Sequence, residues 1–402
     1  MAMIVLLLGI TAPGLAGCGS TAAAPRTGLS QDKVRHQVSP TSSAPTTTTS
    51  CTNPSQIAAW SLTDRLARLV VVPALNFDVP QLSGVIGQGV GGVLFLGSSP
   101  APTSLAGEIS AMQSDPVRGV PVLTMADEEG GGIQRLPGVV DPFGWPRDMA
   151  ASESVAQVAA TAVRVGRQMR ANGVDVDLAP VLDVDGGQGP NAADPDGSRS
   201  FSADPSAVTS YGVAFMRGLE AGGVIPVVKH FPGLGGSSGN SDVGPAESIA
   251  LGSEQKVGLP PFAAAIAGGA PAVMVANDTV PGLTTGPASL SSAAISGLLR
   301  TTMGFTGAVL TDSLSAGAVA SAGYTVPEAA VAAIEAGADL VLFGSTLTPQ
   351  LEAQLEPQAV AATVDAIVSA LTAAVRTGAL TTSQVNAAVG RVVALQGVNL
   401  CG

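Results

Sequence analysis

The sequence is short of charge. Lys, Arg, Asp and Glu make up 12% of its 402 residues, and 18 basic against 30 acidic side chains leave a net charge of −12. No basic stripe is available to neutralise phosphates, which excludes a nucleic-acid-binding surface. The same balance offers no attraction to anionic lipid, so membrane attachment has to rest on a covalent lipid. Histidine is scarcer still: there are two, His36 and His230, beside three cysteines. They show no Cys/His clustering at ligand spacing, and no metal is expected. Glu129-Gly130-Gly131-Gly132 lacks the Gly-Lys-Ser/Thr ending of a phosphate loop and does not form a dinucleotide fingerprint. No nucleotide or other cofactor is implied.

The apolar run at residues 3 to 16 falls short of the roughly 20 residues that a membrane span needs. It has the length of a signal-peptide core, and Leu15-Ala16-Gly17-Cys18 after it resembles the lipobox of bacterial lipoproteins. Residues 1–18 are therefore expected to be a signal peptide, with Cys18 as the lipidation site. Residues 19–50 are rich in Ser, Thr, Ala and Pro and can build no core, so a disordered tether is expected there. That organisation places a 51–402 body outside the cytoplasm, lipid-anchored at the cell membrane. The remaining cysteines, Cys51 and Cys401, bracket the body, and in an oxidising space they are expected to pair. Two free thiols are the alternative.

Eight apolar runs read as strands, near 68–74, 90–96, 120–126, 174–182, 224–229, 271–277, 306–312 and 337–343. Most are continuous rather than alternating, as expected when both faces are buried. Helical spacing fills 151–172, 205–222, 254–269, 291–303 and 326–336, with closing helices at 358–377 and 382–396. Strand and helix alternating eight times predicts an α/β protein, a (β/α)8 TIM-type barrel in one catalytic domain. A doubly wound open sheet is the competing arrangement.

Polar residues gather where these runs end. Asp127, Asp183, Lys229-His230, Asn277-Asp278 and Asp312 each follow one. In a barrel of this kind, that end is where chemistry sits. Asp183 and Asp185 are read as structural carboxylates holding loops. Three ordered blocks carry a resemblance: Ala126-Asp127-Glu128-Glu129-Gly130-Gly131-Gly132-Ile133-Gln134-Arg135, then Lys229-His230-Phe231-Pro232-Gly233 with Gly235, then Leu310-Thr311-Asp312-Ser313-Leu314-Ser315. Together they resemble glycoside hydrolase family 3, in its bacterial β-N-acetylglucosaminidase branch.

The resemblance implies a retaining exo-glycosidase that removes terminal β-linked N-acetylglucosamine from amino-sugar glycans of the peptidoglycan type, acting as a monomer. It assigns Asp312 as the nucleophile and Asp127, Arg199, Lys229 and His230 as substrate-binding residues. Read from its surroundings alone, Asp312 would instead cap a helix starting at Ser313, Arg199 would pair with Asp194, Asp196 or Asp204, and Arg135 would be structural.

One block departs from the family. The acid/base histidine of that branch follows an Asp and a Ser; here the three positions read Asn240-Ser241-Asp242, and Leu234 replaces an earlier histidine. With His36 in the tether and His230 in the sugar-binding pair, no histidine is left for the acid/base. Asp242 fills the role in one reading, oriented by Asn240 if the segment is extended and raised in pKa by nearby Asp312. Glu247 or Asp278 supplies the proton in a second. In a third, the protein is a catalytically impaired glycan-binding lipoprotein. An exo-β-glycosidase of other sugar specificity also remains open.

Overall fold

Each of the eight apolar runs yields a parallel strand. The computed structural model describes residues 52–401 apart from 347. In chain order the strands are β1 (Val70–Leu75), β2 (Gly92–Leu96), β3 (Leu123–Ala126), β4 (Glu128–Gly130), β5 (Ile133–Gln134), β6 (Val176–Asp177), β7 (Ile225–Phe231), β8 (Ala272–Val275), β9 (Ala308–Thr311) and β10 (Val341–Leu342). β4 and β5 form a small antiparallel hairpin outside the main sheet. The other eight lie in the order β10-β1-β2-β3-β6-β7-β8-β9. A parallel bridge between Leu310 and Leu340 joins the two ends, and the Thr311 N–H donates to Leu340 O at 3.0 Å. This is the expected (β/α)8 barrel rather than an open sheet. Strand residues such as Val70, Val71 and Val72 are fully buried, which accounts for the continuous apolar runs.

The helices differ from expectation in three places. The stretch 151–172 splits in two, because Ser154 forms a capping box with Gln157 and starts a new helix at Val155. The stretch 254–269 becomes a helix only from Leu259, with proline in its first turn. Residues Ala293–Thr302 wind as a π-helix, with Gly297 N–H reaching Ser292 O and Met303 N–H reaching Leu298 O, both at 2.9 Å. The helix Pro357–Thr377 is long and apolar enough to cross a membrane. Its stripe of Val360, Val364, Ile367 and Leu371 is nonetheless buried in the core, as a barrel-covering helix requires.

The proposed signal peptide, tether, Cys18 and Cys51 lie outside the described residues. Cys401 is disulfide-bonded; its expected partner, Cys51, is among the residues not described.

A buried acid sits close beneath the 232–242 segment. Glu254 is 1% exposed, and neither carboxylate oxygen has a hydrogen-bond partner among the described residues. Gly258 makes room for it, since a Cβ there would stand 1.8 Å from Glu254 Oε2. Burial, then the charge of Asp183, pushes Glu254 up to about 9. Between its unfolded value near 4.5 and about 9, the folded state holds a proton that the unfolded state releases, so stability falls as pH rises through that window. From pH 4.5 to 7 this amounts to about 3 kcal/mol at 1.36 kcal/mol per unit. Glu254→Gln, a neutral isostere, is expected to flatten that dependence. Thermal unfolding midpoints at pH 5.5 and 8.5 should lie closer together in the variant; an unchanged gap between them would count against the assignment.

Candidate functional site

The carboxyl ends of β3, β7 and β9 open into one cavity of about 290 Å³. Asp127, Arg199, Lys229, His230, Asp242 and Asp312 all line it, so the residues named from sequence do converge. β7 brings Lys229 and His230 into the barrel mouth, and both are almost fully buried. The Lys229–His230 and Phe231–Pro232 peptide bonds are cis.

A cation buried this deeply needs counterions. Lys229 Nζ lies 2.5 Å from Asp127 Oδ1 and 2.6 Å from Glu129 Oε1. Arg199 meets the same Glu129 with a two-pronged bond, Nε to Oε2 at 2.8 Å and Nη2 to Oε1 at 2.9 Å. Asp196 stands further off, 3.9 Å from Arg199 Nη1. Glu129 is thus the common anion of the two cations. Burial alone would raise its pKa, but Arg199 and Lys229 outweigh burial and hold it well below the usual carboxylate range. Lys229 is raised in turn: burial works against its charge, and Asp127 and Glu129 more than offset that.

His230 occupies a tighter position than expected. Its Nε2 is 3.2 Å from Arg199 Nη2. Arginine can only donate, so Nε2 accepts and the ring proton sits on Nδ1. That N–H donates to Asp183 Oδ2 at 2.6 Å. Asp183 also accepts from the backbone N–H groups of His230 and Leu234, which makes it the structural anchor that sequence suggested. His230 was expected to donate to a sugar; its side chain does line the cavity, with both ring nitrogens engaged by protein partners. Its imidazole also braces Arg199.

Asp183, Asp196 and His230 stand close enough to hold a metal ion. The donor set does not suit one: Asp183 and His230 are satisfied by N–H partners, and the Arg199 cation adjoins Asp196. Both oxygens of buried Asp196 are unpartnered among the described residues. Burial, then the charge of Asp183, raises its pKa well above the ordinary value, while Arg199 pulls the other way.

Asp312 follows β9, its own N–H donating to Val275 O at 2.9 Å. Its expected alternative role as a helix cap is not what is seen. The next helix begins at Gly317, with Ala316 as its cap. Asn277, at the end of β8, donates to Ser313 O at 2.7 Å and is itself held by the Ser289 hydroxyl at 2.6 Å. The backbone beside Asp312 is therefore tied from the neighbouring strand.

Asp242 shares the cavity and is half-buried. Burial first, and then the charge of Asp312, raises it to about 6; Arg199 and His230 pull the other way, and Asp278 adds to the rise. The segment around it is turned rather than extended. Asn240 consequently does not meet the carboxylate: its Oδ1 accepts the Asp242 backbone N–H at 2.9 Å. The other candidate acids are elsewhere. Glu247 is exposed, Asp278 is fully buried, and neither lines the cavity.

One residue of the cavity went unassigned in sequence, and a second was read only as structural. Glu129 pairs with both Lys229 and Arg199, and its signal was the third acid of Asp127-Glu128-Glu129. Arg135, read from sequence as structural, lines the cavity and has no side-chain hydrogen bond or ion pair among the described residues.

Residues 61–395 match the glycosyl hydrolase family 3 N-terminal domain. The chain is 38% identical over 308 residues to the beta-hexosaminidase LpqI of Mycobacterium tuberculosis, covering 74% of this chain and 77% of that protein. A solved structure of M. tuberculosis LpqI superposes with a TM-score of 0.76 at 36% identity, over 87% of this chain and 98% of that one. A beta-N-acetylhexosaminidase structure from Beutenbergia cavernae gives a TM-score of 0.73 at 31% identity, over 85% of this chain and all (100%) of that one. With the three sequence blocks gathered at one barrel mouth and the match running across most of its length, the chain belongs to glycosyl hydrolase family 3.

Proposed function

We propose that the protein is a retaining β-N-acetylhexosaminidase that removes terminal N-acetylglucosamine from cell-wall-type glycans. Asp312 attacks the anomeric carbon, and Asp242 donates a proton to the departing oxygen. The covalent glycosyl-enzyme that results is then hydrolysed, with Asp242 withdrawing a proton from water. The observation that carries this reading is the pair itself. One carboxylate in the cavity has its pKa raised to about 6, with burial the larger cause and the second carboxylate the next. An acid held protonated toward working pH beside a second carboxyl group is what a glycosidase needs for separate acid and nucleophile roles.

Asp127 and Lys229 face the cavity and would bind sugar hydroxyls, with the guanidinium of Arg135 in the same lining. Arg199 is largely occupied by Glu129 and His230, so it shapes the floor and has few N–H groups left for substrate. We read the protein's place as extracytoplasmic, held through lipid on Cys18 with Cys51 as the disulfide partner of Cys401. The lipobox-like run, and the disulfide at Cys401, support that placement.

The test follows release of a chromophore from an aryl β-N-acetylglucosaminide by residues 51–402, beside an Asp312→Asn control. Turnover that vanishes in the control is the expected result. Saturable binding with no product on this substrate or on a β-glucoside would instead make the protein a glycan-binding lipoprotein.

A further inference from the structure

The segment that carries Asp242 is held on two sides by groups to which the catalytic reading gives no role. On one side, the carbonyl oxygens of Asp242 and Ser241 accept from the backbone N–H groups of Gly317 and Ala318, each at 2.9 Å. These donors open the helix Gly317–Ser321, where first-turn N–H groups have no partner within the helix. That helix is the continuation of β9, and Gly317 comes five residues after Asp312. One βα connection therefore supports both carboxylates. On the other side, the Ser237 hydroxyl donates to Asp278 Oδ2, and Asp278 is fully buried behind β8.

Gly317 is shaped for this contact. Its backbone lies outside the left-handed region, so the helix itself makes no demand for glycine. The demand comes from the loop: a Cβ at 317 would stand 2.3 Å from Val243 O and 2.4 Å from Val243 C. No Cβ contact is that short without something moving, and what would move is the residue next to Asp242.

We propose that Gly317 and Asp278 are positioning residues, which together clamp segment 237–243 onto the connection that follows Asp312 and so set where Asp242 delivers its proton. The inference rests on the reading of Asp242 as the acid. An aspartate has a short side chain, so its reach is decided by its backbone. The clamp supplies that placement.

The test uses the full body and two aryl glycosides, one with a good and one with a poor leaving group. Gly317→Ala and Asp278→Ala are each expected to lower kcat on the poor leaving group by about 10²-fold, the lower end of what general acid catalysis contributes. The good leaving group, which needs little protonation, should be affected only a few-fold. The alkaline fall of kcat/KM should also move in both variants, which a merely structural role would not cause. Equal losses on the two glycosides, or no loss on either, would overturn the clamp. Folding of each variant is followed by thermal unfolding, and if one fails to fold the other decides. Absence of turnover in the unsubstituted chain would overturn the catalytic reading and the clamp with it. Turnover there with undifferentiated losses in the variants would overturn the clamp alone.

Discussion

Asp312→Gly is expected to stop turnover, with kcat falling on the order of 10⁶-fold, the scale on which a covalent catalyst loses its nucleophile. The glycine variant removes the attacking carboxylate and leaves space at the anomeric carbon. Azide ion, a small external nucleophile, should then restore product formation from a glycoside with a good leaving group. In that step azide forms the new bond to the anomeric carbon and the aryl oxide leaves with the bonding electron pair. The product is a glycosyl azide of inverted configuration. A variant that is inactive but merely misfolded would not respond to azide. Retention of more than a small fraction of turnover by Asp312→Gly would sink the nucleophile assignment.

Asp242→Ala should lower kcat on a poor leaving group by about 10²–10⁴-fold, the general-acid contribution. Loss on a good leaving group should be far smaller in the bond-breaking step. The pH dependence carries its own sign. Asp242 must be protonated to donate, and burial with Asp312 raises it to about 6. The donating form is therefore present below about pH 6 and is lost as pH rises through it. kcat/KM, which reports the free enzyme, should fall on the alkaline side of about 6. At pH 7 roughly one molecule in ten would hold the proton, given a pKa one unit lower. Once Asp312 is esterified by the sugar, its charge is gone, and with it the second cause of the rise. Asp242 then releases its proton more readily, as its turn to act as a base requires. Persistence of the alkaline limb in Asp242→Ala would show that another group is being titrated.

The barrel was legible because its signal is distributed. Eight runs of buried strand, each bounded by helical spacing, state the same architecture many times over, and the chain closes through Leu310 and Leu340 as that pattern requires. The breaks within helices were less legible. Ser154 with Gln157 is a local capping signal that a longer apolar period obscured. The π-helix at Ala293–Thr302 has no such signal.

The amino-acid sequence by itself determined which residues end the strands. Periodicity placed Asp127, Lys229, His230 and Asp312 at one barrel mouth, and the scarcity of histidine moved attention to Asp242. Which of these groups touch one another was left to tertiary structure. Glu129 binds Lys229 and Arg199, 100 and 70 positions away along the chain. His230 braces Arg199 as well as lining the cavity. Asn240 holds a backbone N–H instead of a carboxylate. The reason is physical: a strand's period of two decides which face a side chain takes, using neighbours a few residues away. Charge pairing and pKa depend on separations of a few ångströms between segments distant in sequence, and only the closed barrel sets those.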